Sequence, residues 1–259
     1  MIAITRPVPQ SINRCEVTHL VREPIDFARA TAQHAAYERA LTALGCTIQH
    51  LPALDEMPDS VFVEDAAVVL PEVAIITRPG AESRRGEVES VAEALQPHRS
   101  IRRIGERPSR PQTPALLDGG DVLRIGERIF VGRSTRTNDA GIEQLRRIVE
   151  PHGYRVTVAD VRECLHLKSA VTYVAGAVLC NRQWIDVRLF DGVDLIDVHP
   201  DEPYAANALL VNGAVLYASA YPRTRERMEQ CGMKVSVVDA DELAKAEGGV
   251  TCCSIIYKQ

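Results

Sequence analysis

Ile2-Ala3-Ile4-Thr5-Arg6-Pro7 closely repeats Ala74-Ile75-Ile76-Thr77-Arg78-Pro79. The second copy follows another apolar run, Phe62-Val63-Glu64-Asp65-Ala66-Ala67-Val68-Val69-Leu70, across a tight turn. The first copy has no such run before it. The last apolar segment, Gly248-Gly249-Val250-Thr251-Cys252-Cys253-Ser254-Ile255-Ile256-Tyr257, has none after it. These two are expected to complete each other, joining both ends of the chain in one sheet.

The unit around Val73 to Gly80 defines a pattern: apolar run, turn, apolar run, basic loop, helix, lone strand. Its helix is read roughly from Gly86 to Gln96, with Val88, Val91, Ala92 and Leu95 on one face. Pro97 ends it. The next copy is Leu117-Asp118-Gly119-Gly120-Asp121-Val122-Leu123, then Ile129-Phe130-Val131-Gly132. A helix with Ile142, Leu145, Ile148 and Val149 follows, capped near Gly153, and then the strand Tyr154 to Val158. A third copy spans Cys164 to Tyr173 and Ala177 to Cys180. A fourth spans Tyr204 to Val211 and Ala214 to Tyr217 around Asn212-Gly213, a strong hairpin signal. The N-terminal copy continues with a helix from Pro24 to Leu44, with Phe27, Ala30, Tyr37, Leu41 and Leu44 in register, then the strand Thr47 to Leu51. The expected fold is α/β: five ββαβ units closing into a propeller-like ring, the last unit stitched from both termini. A period of about 40 to 55 residues suits such a ring, and closure removes most exposed sheet edges. With no Pro/Gly/Ser linker, residues 1–259 read as one domain.

Composition narrows the function. The chain has 259 residues, 46% hydrophobic and 25% charged, with a net charge of −5. That is ordinary for a globular protein and argues against nucleic-acid or anionic-membrane partners. No apolar run is long enough to span a membrane, and the N-terminus is too short and polar for a signal peptide. Seven cysteines without CxxC spacing suggest free thiols in a reducing cytoplasm.

The openings of the five first strands should meet near the ring axis. They carry Glu64-Asp65, Asp118 and Asp121, His166 and Lys168, Asn207, and Cys252-Cys253. This is a thiol nucleophile with an imidazole and carboxylate neighbours. Carboxylates beside a thiol raise its pKa and weaken it. A cationic substrate resolves the conflict by neutralising them, and a planar guanidinium suits paired carboxylates best. The repeating Arg-rich loops (Arg78, Arg84 and Arg85; Arg133 and Arg136; Arg223, Arg225 and Arg227) read as a solvated rim in which one or two could clamp a carboxylate. Cys15, Cys46, Cys164, Cys180 and Cys231 read as small buried hydrophobes. Glu64-Asp65 could be a solvated turn, and Gly119-Gly120 a bulge. The equivalent repeat position of Cys252 and His166 lifts them above such readings. If Cys252 faces the axis on a strand, Cys253 should face the other side of the sheet.

Together, Pro58 to Asp65, Ile76 to Arg85, Leu117 to Leu123, Ser134 to Asn138, Leu165 to Lys168 and Thr251 to Ser254 resemble dimethylarginine dimethylaminohydrolases, of the guanidino-group-modifying (pentein) superfamily. The resemblance spans nearly the whole chain and implies a five-bladed α/β propeller. It implies Cys252 as nucleophile, His166 as general acid and then base, and Asp118 as the histidine's acidic partner, where some members carry Glu. It implies Glu64 and Asp65 as guanidinium-site acids, and Arg84 and Arg136 as holders of the substrate carboxylate. Asp59 and the backbone around Leu20, in a mobile lid, would meet the α-amino end, and the backbone of Ala246 would also contact substrate. The implied reaction is hydrolysis of methylated arginine to citrulline and an amine through an S-linked thiouronium, with no metal or organic cofactor. Zinc enters only as an inhibitor that could capture Cys252 and His166. The partner is the small-molecule substrate. The oligomeric state stays open, with a homodimer as the assembly to test. The nearest rival is arginine deiminase, which carries an acid two residues after the histidine, where this chain has Lys168; losing that acid leaves room for N-methyl groups. A ribosome-binding propeller without enzymatic activity is the rival from another class, and it lacks the thiol present here.

Overall fold

A computed structural model describes residues 1–106 and 114–258. The strand β1 (Ile2–Thr5) and the strand β2 (Thr47–His50) run parallel on either side of the helix α1 (Phe27–Ala43). The next unit is β3 (Ala67–Val69), β4 (Val73–Ile76), α2 (Val88–Leu95) and β5 (Ser100–Arg103). Then come β6 (Val122–Ile125), β7 (Arg128–Arg133), α3 (Asp139–Val149) and β8 (Arg155–Asp160). The helical turn α4 (Leu167–Ala170) leads into β9 (Val171–Val174), β10 (Ala177–Cys180) and β11 (Asp194–Asp197). The strands β12 (Ala208–Val211) and β13 (Ala214–Ala218), α5 (Pro222–Gln230) and β14 (Val235–Val238) follow, then α6 (Asp241–Ala244) and β15 (Ile255–Tyr257).

These strands form five three-stranded sheets, and the middle strand of each pairs antiparallel with the first and parallel with the third. The sheet β15-β1-β2 is built from both ends of the chain, with Ala3 opposite Ile256.

Period-two alternation closes the ring. The middle strands β1, β4 and β10 are buried at every position. Alternate residues of a strand point to opposite faces, so each middle strand feeds two separate cores. Ala74 and Ile76 pack with Ile2, Ile4 and α2, whereas Val73 and Ile75 pack with Ile129, Val131 and α3. Phe130 joins Val178 and Cys180; Ala177 and Leu179 join Val215 and Tyr217; Leu216 joins Ala3 and α1. Five cores thus sit between five sheets, and the last returns to the first. Each buried aliphatic contributes about 1.5–3 kcal/mol, and a slip of one residue would exchange the two cores, so register is tightly specified.

The helices follow their expected faces. Asp26 caps α1 by accepting from Arg29 N–H, which starts that helix at Phe27 rather than Pro24. Asn138 caps α3 through Gly141 N–H at 2.9 Å. The third unit crosses to β11 by a 3₁₀ turn, Val187–Phe190, where the repeat pattern called for a helix.

The expected first strands are shorter than read. A 3₁₀ turn (Val63–Ala66) precedes β3, another (Gly119–Asp121) precedes β6, α4 precedes β9, and turns at 250–253 precede β15. Cys252 is therefore in a turn, not on a strand as expected. Cys253 is buried in the core with Tyr37, Leu243 and Val250, and Cys252 packs against the same core, so strand alternation does not describe the pair. Cys231 is exposed, which corrects its reading as a buried hydrophobe, and all seven cysteines are free.

Candidate active site

Three of these turns, with the loops beside them, bring distant residues to one small cavity. Its walls include Asp59, Asp65, Arg84, Arg136, His166 and Cys252. Asp118 stands directly behind: its Oδ2 lies 3.0 Å from Nε2 of His166, while its Oδ1 accepts from Gly80 N–H at 2.9 Å. Nδ1 of His166 lies 3.9 Å from Asp65. The close stacking of these turns requires Gly120, because a Cβ there would sit 2.7 Å from Asp65 Oδ1 and 2.8 Å from His166 Nδ1.

Charges set the protonation states. Burial alone would push the His166 pKa down, but Asp65, the bond to Asp118 and Asp121 together outweigh it and raise it to about 9. His166 is therefore cationic near neutral pH. Burial would likewise raise Asp65, yet His166 and Arg84 hold it at about 2. The Cys252 thiol is pushed up to about 12, first by burial and then by Glu64 and Asp65, against a 3.2 Å N–H contact from Gly249.

The two arginines differ. Nε, Nη1 and Nη2 of Arg84 all donate to protein: to Glu87, to Asp65 at 2.6 Å and to the carbonyl of Phe62 at 3.0 Å. Arg136 is only 8% exposed, and its guanidinium has no hydrogen bond or ion pair among the described residues. A buried, unpaired cation lining a cavity is costly unless a ligand completes it.

Glu64 and Asp65, adjacent in sequence, part company. Glu64 turns toward a channel at the other end of the axis, accepting from Lys168 Nζ at 2.6 Å and from Thr251 Oγ1 at 2.8 Å. Asn207 completes this layer by bonding Thr251 through both its amide groups. Asp121 is a strut that accepts from Leu167 N–H and Ser134 Oγ.

The lid residues also separate. Asp59 lines the thiol cavity and accepts from Glu16 N–H at 3.2 Å, and Ala246 lines it too. Leu20 faces a neighbouring cavity, and its N–H goes to Glu247. Sequence alone did not single out Glu247, whose partners Thr18, His19 and Leu20 lie most of the chain away, or Glu87, which pairs with Arg84 three residues before it.

Gly248 and Gly249 lead directly into the Cys252 turn. Their role is space: a Cβ would sit 2.2 Å from Phe62 and 2.4 Å from Asn207, respectively. The positive φ, +59°, falls on Glu247.

One ligand atom from each of Asp65, Asp118 and His166 lies within 4.8 Å of the others, a geometry that could hold a cation. Here those groups already hydrogen-bond to protein. No helix among the described residues is long and apolar enough to cross a membrane.

Five mixed sheets around a thiol, an imidazole and buried carboxylates define an α/β propeller of the guanidine-modifying type, and the family described as arginine deiminase matches residues 27–180. The chain is 43% identical over 258 residues to an N(G),N(G)-dimethylarginine dimethylaminohydrolase of Streptomyces coelicolor, covering 99% of this chain and 96% of the relative. It is 38% identical over 233 residues to the corresponding enzyme of Pseudomonas aeruginosa, covering 90% of each. The crystal structure of a cysteine-to-serine variant of the Pseudomonas enzyme with citrulline superimposes with a TM-score of 0.90 at 36% identity, covering 98% of this chain and 97% of that one. The chain belongs to the dimethylarginine dimethylaminohydrolase family.

Proposed function

We propose that this protein hydrolyses Nω-methylated arginines, asymmetric dimethylarginine and monomethylarginine, to citrulline and dimethylamine or methylamine. The observation that carries the proposal is the cavity that joins Cys252, cationic His166 and Asp65 to the unpaired guanidinium of Arg136. One end suits a guanidinium and the other a carboxylate, as an amino acid with a cationic tail requires.

Cys252 is a neutral thiol in the free protein, because its pKa is raised to about 12. A bound guanidinium beside Asp65 supplies the missing positive charge and favours the thiolate, whose proton is released to solvent. The sulfur attacks the guanidinium carbon. As the C–N bond to the methylated nitrogen breaks, that nitrogen takes a proton from His166 and leaves as the amine. An S-alkylthiouronium remains on Cys252. Neutral His166 then removes a proton from water, and the oxygen attacks the same carbon. The C–S bond breaks with its electron pair returning to sulfur, and citrulline forms after loss of the second water proton. Asp118 holds the imidazole and favours its protonated form. Arg136 takes the carboxylate, Arg84 chiefly fixes Asp65, and Asp59 with the Ala246 backbone faces the α-ammonium. No metal or organic cofactor enters these steps.

Arginine is the competing substrate, favoured by the match to the arginine deiminase family. Against it, Lys168 engages Glu64 at 2.6 Å, leaving one carboxylate fewer to grip unsubstituted nitrogens. Citrulline formation from asymmetric dimethylarginine and from arginine, measured separately, decides between them. Much faster turnover of arginine would overturn the assignment. We also read residues 1–259 as a single domain, because each core is shared by two neighbouring sheets, and a cytoplasmic location, because all seven cysteines are free.

A further inference from the structure

The thiol cavity is about 20 Å³ in volume. That is room for roughly one water molecule, so no amino acid can enter while the surrounding loop stays where it is. The loop is held at two points. Glu16 N–H donates to Asp59, and its side chain accepts from Ser83 Oγ at 2.9 Å. At the second point, consecutive backbone N–H groups of Thr18, His19 and Leu20 converge on the single carboxylate of Glu247. Glu247 Oε2 takes Thr18 at 3.0 Å, while Oε1 takes His19 and Leu20, the latter at 2.8 Å.

The backbone at Glu247 makes the position unusual. It has φ +59°, in the left-handed region that glycine fills at least cost. Two glycines follow immediately, yet neither takes a positive φ. A carboxylate therefore sits where a glycine would be easier, and the loop is what that carboxylate binds. Glu247 lines both the thiol cavity and the larger cavity next to it, which His19 and Leu20 also line. Its neighbours Ala246 and Gly248 face the thiol cavity as well.

We propose that Glu247 is the latch of the active-site lid: its carboxylate holds residues 18–20 closed through their backbone N–H groups, and it must release them for substrate to enter and product to leave. This rests on the reading of the thiol cavity as the substrate site. Glu247 is a positioning residue in this scheme and takes no part in the chemistry. A ligand spanning Arg136 and Asp65 is enclosed only when the latch re-forms.

The variants are Glu247→Gly, which suits the backbone and removes the carboxylate, Glu247→Gln, which keeps one acceptor oxygen, and Thr18→Pro, which removes one donor from the lid side. The first readout is amide hydrogen exchange at residues 18–20, which needs neither the thiol nor turnover. The second is alkylation of Cys252 by iodoacetamide without substrate, followed by peptide mass. Glu247→Gly should speed both by about tenfold or more, with smaller gains in Glu247→Gln and Thr18→Pro. Combining Glu247→Gly with Thr18→Pro should add little, because both break the same latch. Melting temperature should stay close to that of the unmodified protein. KM for asymmetric dimethylarginine should rise more than kcat falls. Unchanged exchange in Glu247→Gly overturns the latch. So does faster exchange with unchanged alkylation. If no protein, unmodified included, makes citrulline, the substrate assignment fails, while exchange and alkylation still decide the latch.

Discussion

The two ends of the ring axis are built from the same turns and have opposite character. One end is a channel of about 860 Å³. The other is the thiol cavity of about 20 Å³. Size favours the channel, but its charges are largely satisfied. Lys168 pairs with Glu64, Arg99 donates to the carbonyls of Leu70 and His98, and Arg124 bonds the Gly126 carbonyl and lies over the Tyr154 ring. The small cavity keeps an unpaired buried guanidinium, a cationic imidazole and a thiol. Adjacent residues divide between the ends: Glu64 from Asp65, and Thr251 from Cys252, whose sulfur shares the cavity with Asp65. A functional site is marked by polar groups left incomplete, not by volume.

The sharpest way to break this contrast is at the sulfur. Cys252→Ser should lower citrulline formation by at least about 10³-fold, whereas Cys253→Ser, in the core, should chiefly lower stability. Equal loss of activity in two equally stable variants would erase the distinction. The next effect is a split between the two arginines. Arg84→Gln strands the buried charges of Asp65 and Glu87 and should cost about 3–5 kcal/mol of stability, read by urea unfolding. Arg136→Gln should leave stability nearly unchanged and raise KM by about 10- to 100-fold, since a charge-assisted hydrogen bond is worth roughly 1.5–3 kcal/mol. A substrate analogue without the carboxylate should not notice it.

The histidine gives a pH test. His166 must be protonated to release the amine, and its pKa is raised to about 9, so kcat, measured with bound substrate holding Cys252 as the thiolate, should fall as pH rises through that region. Asp118→Asn removes a group that raises this pKa, so the alkaline limb should move to lower pH. The sign for stability follows. A raised imidazole pKa favours the folded state fully below its ordinary value of about 6.5 and loses that contribution as pH climbs through about 9. The stability deficit of Asp118→Asn should therefore be larger at low pH than at high pH within that window. A deficit independent of pH would mean that Asp118 only packs. The smallest effect belongs to the channel end. Lys168→Met leaves the negative charge of Glu64 unopposed near the thiol, and turnover should fall by less than about tenfold.

Much of this was legible before the structure. The repeat of Ile2 to Pro7 in Ala74 to Pro79 implied that the termini share a sheet, because strand alternation is a local pattern with a fixed geometric meaning. The grouping of Cys252, His166 and Asp118 followed from equivalent repeat positions. What escaped the sequence lies in the turns. Where a 3₁₀ turn replaces a strand, alternation no longer tells which way a side chain points, so Glu64 and Asp65 looked equivalent and Cys252 seemed to sit on a strand. Arg84 and Arg136 looked alike because Arg84 is set apart by Asp65 and the Phe62 carbonyl, 19 and 22 residues earlier in the chain, as well as by Glu87 in its own helical turn. Glu247 meets the lid across most of the chain, and its positive φ has no signature when two glycines follow it.

The chemistry proposed for Cys252 is attack of its sulfur on a guanidinium carbon at one end of the axis. The most direct measurement is acid quench of the protein during turnover of asymmetric dimethylarginine, followed by intact mass and peptide mapping. The prediction is an adduct equal to substrate minus dimethylamine, carried by Cys252 alone, and absent from His166→Gly, where no acid releases the amine. Continued citrulline formation by Cys252→Ala, or an adduct carried by Cys253, would contradict it.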